Sequence, residues 1–170
     1  MTRRAFTLVE LLVVIAIIGL LSTVAVVSIG SSRTKSRNTK RIADIKQLMV
    51  AFNLGRDASS TGAYPASSGF VCVSASCYGG WSGYAAVGTI DAFIAPYMAA
   101  KPTDPSDGGS RGYGGYIYNS SWAGGTFGSY GYFPPGTIID FLLEGVISDC
   151  GLGKKSSGLA AYSEFAVYLD

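Results

Sequence analysis

Phe6-Thr7-Leu8-Val9-Glu10-Leu11-Leu12-Val13-Val14-Ile15-Ala16-Ile17-Ile18-Gly19-Leu20-Leu21 is an apolar run broken by a single carboxylate. Residues 11 to 32 carry no charge. As a helix rising about 1.5 Å per residue they would extend roughly 33 Å, enough to cross the roughly 30 Å hydrocarbon core of a bilayer. An ionised carboxylate at that depth costs on the order of 3 kcal/mol on insertion scales, so Glu10 is expected to be a functional group with a partner.

On its N-terminal side the run is preceded by Met1-Thr2-Arg3-Arg4-Ala5, a short basic stub ending in a small residue; a cut after Ala5 makes Phe6 the new terminus. These residues resemble the class III leader of type IV pilins and type II secretion pseudopilins, whose pattern is a basic stub, a small residue, then Phe-Thr-Leu-x-Glu. Phe6-Thr7-Leu8-Val9-Glu10 matches that pattern, and the resemblance extends to about residue 30. Ala5 stands where the family prefers Gly, a departure that bears on the efficiency of cleavage. The resemblance implies a prepilin peptidase that cuts between Ala5 and Phe6 on the cytoplasmic side and N-methylates Phe6. It also implies storage as a single-pass inner-membrane protein with its head outside the cytoplasm, then assembly into a periplasmic or extracellular fibre. The partners so implied are further copies of the chain in a helical homopolymer, minor pilin-like subunits, an inner-membrane assembly platform and membrane lipid. Glu10 would serve assembly by pairing with the amino terminus of another subunit.

Two plainer readings compete, a Sec signal peptide and a simple membrane anchor. Thr23-Val24-Ala25 could serve as a small-x-small cleavage site, but a signal peptide has an apolar stretch of only about 7 to 15 residues. This run is longer and contains Glu10. Charge counting opposes the implied topology, since Arg33, Lys35, Arg37, Lys40 and Arg41 follow the span and only Arg3 and Arg4 precede it. The positive-inside rule alone would hold the bulk of the chain in the cytoplasm; the resemblance, and the cysteines below, favour the outside.

No proline occurs before Pro65, and Ile42, Ile45, Leu48, Met49 and Phe52 recur at three- and four-residue spacing. That is one helical stripe, so a helix from about Phe6 to Arg56, on the order of 75 Å, is expected to be half anchor and half spine of a head, with Arg37, Lys40, Arg41 and Lys46 kept outside. Gly55 and then Ser59-Ser60-Thr61-Gly62 read as its end. The expected organisation is a leader (1–5), a transmembrane and polymerisation helix (6–32), its amphipathic continuation (33–57) and a β-rich head (58–170). The fold class is α+β: a long N-terminal helix packed on a small antiparallel sheet.

In the head, Phe70 to Val73 reads as a short strand and Thr89 to Ile94 as a short capped helix stopped by Pro96. Further strands are expected at Gly115 to Asn119, around Thr126 to Phe133, at Ile138 to Leu143 and at Tyr162 to Leu169. The last alternates clearly, with Phe165, Val167 and Leu169 on one face. Tyr64-Pro65, then Pro96-Tyr97-Met98-Ala99-Ala100-Lys101-Pro102-Thr103-Asp104-Pro105 ahead of Tyr116-Ile117-Tyr118, look like landmarks of the major pseudopilins of type II secretion. In that family an Asp-bearing loop can hold calcium, and the nearest candidates are Asp104 and Asp107. Two carboxylates fall short of the roughly six to eight oxygens that calcium takes, so solvated turn residues are the plainer expectation.

Cys72, Cys77 and Cys150 permit three single-disulfide pairings. Cys72 to Cys77 is the local favourite, and three reduced thiols are the alternative. With no histidine in the chain, zinc and the usual proton shuttles lack a ligand or carrier, and no cofactor is expected apart from the calcium alternative. Asp140, Glu144 and Asp149 read as surface charges rather than a glycosidase pair. The Gly-aromatic run from 107 to 136 is expected to form ordered loops because strand-like segments flank it, with disorder as the alternative, and with only Arg111 nearby it has too little basic character for nucleic-acid stacking. Residues 33–56 carry seven basic side chains against one acidic, and residues 57–170 four against nine. That polarity could set an acidic head against a neighbour's basic helix. The sequence thus favours a fibre subunit of a type II secretion pseudopilus or type IV pilus over an enzyme. A monomeric membrane-anchored binding module and a DNA-uptake pilin are the alternatives.

Overall fold

The computed structural model describes residues 6–105, 113–126, 130–159 and 162–169, apart from the side chains at 24–28, 113 and 159. The leader with Ala5, and Asp107 with part of the Gly-aromatic run, lie outside the described residues. Two compact units are present, Met1–Ser36 and Arg37–Asp170, and one helix, α1 (Leu8–Ala58), contributes to both.

In the first unit every described side chain from Phe6 to Thr23 is exposed. Apolar residues therefore cover the helix on all sides, the pattern of a segment whose burial is supplied by lipid or by other helices. Among the described residues no helix is long and apolar enough to cross a membrane. The described run Leu8 to Thr23 is sixteen residues, about 24 Å of helix against roughly 30 Å of hydrocarbon.

In the second unit the apolar stripe of α1 lies where its spacing placed it, with Ile45, Leu48, Ala51 and Phe52 fully buried. They meet one face of a five-stranded antiparallel sheet built from β1 (Val71–Cys72), β4 (Tyr116–Trp122), β7 (Gly136–Glu144), β9 (Tyr162–Tyr168) and β8 (Lys154–Leu159), in that order. Short ribbons join β2 (Tyr78–Gly79) to β3 (Tyr113–Gly114) and β5 (Gly125–Thr126) to β6 (Tyr132–Phe133). Tyr116, Tyr118, Ile139, Phe141, Leu143, Phe165, Val167 and Leu169 complete the helix-facing core. Phe52 stacks on Tyr118 with ring centroids 4.6 Å apart. The long helix followed by a small antiparallel sheet is the expected α+β architecture.

Four expectations need correction. Gly55 does not end the helix: a Cβ there would lie 2.5 Å from the Phe93 ring, so the glycine admits an aromatic side chain of the next helix, and α1 continues to Ala58. That next helix, α2 (Gly88–Ile94), ends ahead of Pro96 as expected, but Val87 at its N-cap supplies no side-chain cap; a 3₁₀ turn, Ala95–Tyr97, follows with Pro96 in its first turn. Arg41 is not held outside but is fully buried, and Asp140 and Glu144 are buried too, at 7% exposure each. The reason for Asp140 is that β7 is covered on both faces. Its helix-facing side chains enter the main core, while Ile138 and Leu142 are covered by aromatic residues from the loops, including Phe70, Trp81 and Phe133.

Candidate functional site

At the start of α1, Thr7 and Glu10 cap the helix reciprocally. The Glu10 N–H donates to Thr7 Oγ1 at 3.3 Å, and Glu10 Oε2 accepts from the Thr7 N–H at 2.8 Å and from its hydroxyl at 2.9 Å. Thr7 thus occupies the N-cap and Glu10 the third helical position of a capping box, which satisfies two otherwise orphaned backbone donors. The Thr-x-x-Glu spacing is the sequence signal of this cap. Phe6 is 82% exposed beside it, and among the described residues Glu10 Oε1 accepts no hydrogen bond. The local geometry therefore presents an exposed aromatic residue and a carboxylate oriented by its own helix terminus.

A second constellation fastens α1 to the head sheet. Arg41 Nη1 donates to Glu144 Oε1 at 2.6 Å, and Arg41 Nε to Asp104 Oδ1 at 2.6 Å. Its remaining contacts are Asn38 Oδ1 at 2.9 Å and the Pro105 carbonyl at 2.6 Å. Arg37 forks onto both oxygens of Glu144. Asn38 completes the clamp, accepting from the Glu144 N–H at 2.9 Å and donating to its carbonyl at 3.0 Å. Positions 37, 38 and 41 share a helix face, so about one turn of α1 grips the last residue of β7. Burial pushes the Glu144 carboxyl up, but hydrogen bonds from Arg37 and Arg41, together with their charges, outweigh it and hold the group below the ordinary carboxylate range.

Nearby, Lys40 pairs with Asp44 at 2.7 Å, and the Tyr116 hydroxyl donates to the same Asp44 oxygen at 2.8 Å. Burial and the Asp44 carboxylate push the Tyr116 hydroxyl well above its usual range, so it remains a donor. Two basic helix side chains, Arg37 and Arg41, thus meet two acidic head side chains, Asp104 and Glu144, within one chain, so these four charges are engaged internally rather than in the contacts between chains that the sequence suggested.

Asp104, a calcium candidate from sequence, is engaged otherwise: besides Arg41, it accepts the Gly115 N–H at 2.7 Å. Gly115 has φ +99°, and a Cβ there would lie 2.6 Å from Cys77 Sγ, so this turn requires glycine. Cys72 and Cys77 form a disulfide with Cα atoms 5.9 Å apart, and Cys150 is a free thiol. Among the described residues no group of three or more His, Cys, Asp or Glu side chains is placed to hold a metal ion. Asp140 and Glu144 have separate surroundings: Glu144 pairs with Arg37 and Arg41, while Asp140 lines an aromatic-walled cavity with Glu164.

Residues 1–26 match the family model of the prokaryotic N-terminal methylation motif, the signature of type IV pilins and pseudopilins. Neither curated proteins nor solved structures give a match to this chain.

Proposed function

We propose that this chain is a pilin-like structural subunit, cleaved between Ala5 and Phe6 by a prepilin peptidase, N-methylated on Phe6, and then drawn from the inner membrane into a helical fibre. The observation that carries this reading is the coincidence, inside the matched residues 1–26, of an all-round apolar helix with the single carboxylate Glu10 in its first turn. An exposed apolar helix must be covered, first by lipid and then by the same segment of neighbouring subunits. Repeated head-to-tail contacts that do not close generate a filament. Within the bundle, the capped Glu10 carboxylate would meet the amino group of Phe6 on an adjacent subunit. The head, with its buried clasp and disulfide, would be the exposed surface of a type II secretion pseudopilus or type IV pilus.

The test is Glu10→Val expressed without wild-type subunits. Breaking a buried pair by removing one partner costs about 3 to 5 kcal/mol, whereas membrane insertion should not suffer from losing a charge. Loss of the capping box costs a further 0.5 to 2 kcal/mol or so, localised to the first turn. Normal membrane levels and leader cleavage with few or no sheared filaments are expected. Abundant normal filaments would refute the pairing. Normal filaments on deletion of the whole chain, with loss of a ligand-binding activity, would favour the tethered binding module instead.

A further inference from the structure

On the sheet face away from α1, a cavity of about 130 Å³ opens between the sheet and the aromatic loops. One water needs roughly 10 to 15 Å³ of such space, so the volume fits a group of several atoms. Its apolar wall is Phe70, Trp122, Phe133, Ile138 and Ala166. Its polar wall is Asp140, Ser156 and Glu164, brought together by strand pairing: Asp140 lies opposite Ala166, and Glu164 opposite Leu142, so the two carboxylates are diagonal neighbours on one face of β7 and β9.

Two of these polar groups point to an occupant. Asp140 Oδ1 and Ser156 Oγ are buried, on residues 7% and 6% exposed, and neither has a hydrogen-bond partner. A buried polar atom left unpaired costs about 1 to 3 kcal/mol, and more when charged, so native chains rarely retain one without use. Glu164 is only partly provided for, by the Ser157 hydroxyl. The subunit's own cations do not fill the gap. Lys154 Nζ sits 4.6 Å from the Phe133 ring centroid and donates to the Tyr132 carbonyl at 2.5 Å, and Lys155 Nζ lies 5.4 Å from the Tyr130 centroid. Among the described residues neither forms an ion pair with Asp140 or Glu164.

The lining selects the chemistry of the occupant. Two facing acidic side chains offer an anion no positive charge, and a cation bound between them draws off the proton that burial and Glu164 otherwise hold on Asp140. A neutral apolar ligand would leave Asp140 and Ser156 unsatisfied. Two carboxylates and one hydroxyl, set in a largely aromatic wall, fall short of the roughly six to eight oxygens of a calcium site. Water satisfies the polar atoms but not the aromatic faces, whereas a cation with an apolar body suits both, its charge meeting the carboxylates and its carbon stem lying against the rings. We propose that this cavity binds a primary alkylammonium group, either of a free small amine or of a lysine side chain on a second copy of the chain. The free-amine source is independent of the assembly proposed above, whereas the second-copy source rests on it.

The experiment titrates the full chain in detergent with ethylammonium chloride, against sodium chloride and calcium chloride at matched ionic strength, following Trp fluorescence and thermal midpoint. A saturable response to ethylammonium is expected, with half-saturation at roughly millimolar concentration for so small a ligand. It should weaken at least tenfold in Asp140→Asn and in Glu164→Gln. Both substitutions preserve shape, and far-UV circular dichroism checks the fold. Zero-length carbodiimide coupling of assembled protein then separates the sources. A peptide joining Asp140 or Glu164 to a lysine of another copy supports the side-chain source, and no such link with a retained ethylammonium response supports the free amine. A wild-type response equal to that of sodium chloride, a saturable response to calcium instead, or an undiminished ethylammonium response in both variants would overturn the proposal.

Discussion

Replacing Arg41 by Met isolates the contribution of the buried clasp. Arg41 is fully buried and makes two ion pairs, to Asp104 and Glu144, and further hydrogen bonds to Asn38 and the Pro105 carbonyl. Met preserves much of the volume, so cavity formation adds little, and the loss comes from removing the charge that faces two buried carboxylates. Breaking a buried pair in this way costs about 3 to 5 kcal/mol. Glu144 keeps Arg37, so the damage concentrates at Asp104 and at the 104–105 segment that Arg41 holds against the helix. For a unit of this size each kcal/mol moves the midpoint roughly 3 to 5 °C, giving a fall of roughly 10 to 25 °C. The assay is thermal and urea unfolding of the full chain in detergent, followed by near-UV circular dichroism, which reports the aromatic core of the head. Arg37→Met is the internal comparison: its side chain is 26% exposed, and loss of such a pair is worth about 1 kcal/mol. Arg41→Met within about 1 kcal/mol of wild type, or less damaging than Arg37→Met, would refute the clasp as a principal tie between helix and sheet.

Two further outcomes follow from the head. Burial, and then the charge of Glu164, push the Asp140 carboxyl well above its ordinary value of 3.8, so the folded state holds its proton more tightly than the unfolded chain. Its stabilising effect is therefore present at acid pH and is lost as pH rises through the raised folded value. Asp140→Asn should remove that alkaline-side loss in the absence of amines, and a pH–stability profile of equal slope in both proteins would count against it. Closing the six-residue loop of the Cys72–Cys77 disulfide is worth about 2 kcal/mol by chain entropy, so the paired Cys72→Ser and Cys77→Ser variant should unfold at a correspondingly lower urea midpoint. Peptide mapping of unreduced wild-type protein should recover the two cysteines linked, and recovery as free thiols would contradict the pairing.

What was legible in the sequence was what repeats locally. Ile45, Leu48 and Phe52 announced a buried helix face, and Phe165, Val167 and Leu169 announced a strand face, because both periods are short and geometric. Arg41 was not legible, since a basic residue flanking an apolar stripe ordinarily stays in water. Its burial depends on carboxylates 63 and 103 residues away. Gly55 was misread for a related reason: within the helix it resembles a terminus, and only the approach of Phe93 explains it. β8, Lys154–Leu159, was missed because Lys-Lys-Ser-Ser-Gly has no apolar alternation; as the sheet's edge strand it is held by backbone pairing to β9, and charged residues suit such an edge. Asp140 looked like a surface charge because nothing in its own strand shows that aromatic loops cover that face.

The processing site is the point at which the proposed function is most directly exposed to measurement, because leader cleavage and methylation are specific to the N-terminal motif matched by residues 1–26. Intact-mass analysis of the chain purified from membranes, with fragmentation of its N-terminal peptide, measures both at once. The expected product begins at Phe6 and is heavier than the unmodified residue 6–170 sequence by one methyl group on its terminal nitrogen. A mature chain beginning at Val26 would mean an ordinary secretory signal peptide, with Glu10 discarded before it could pair, and would contradict the fibre-subunit account.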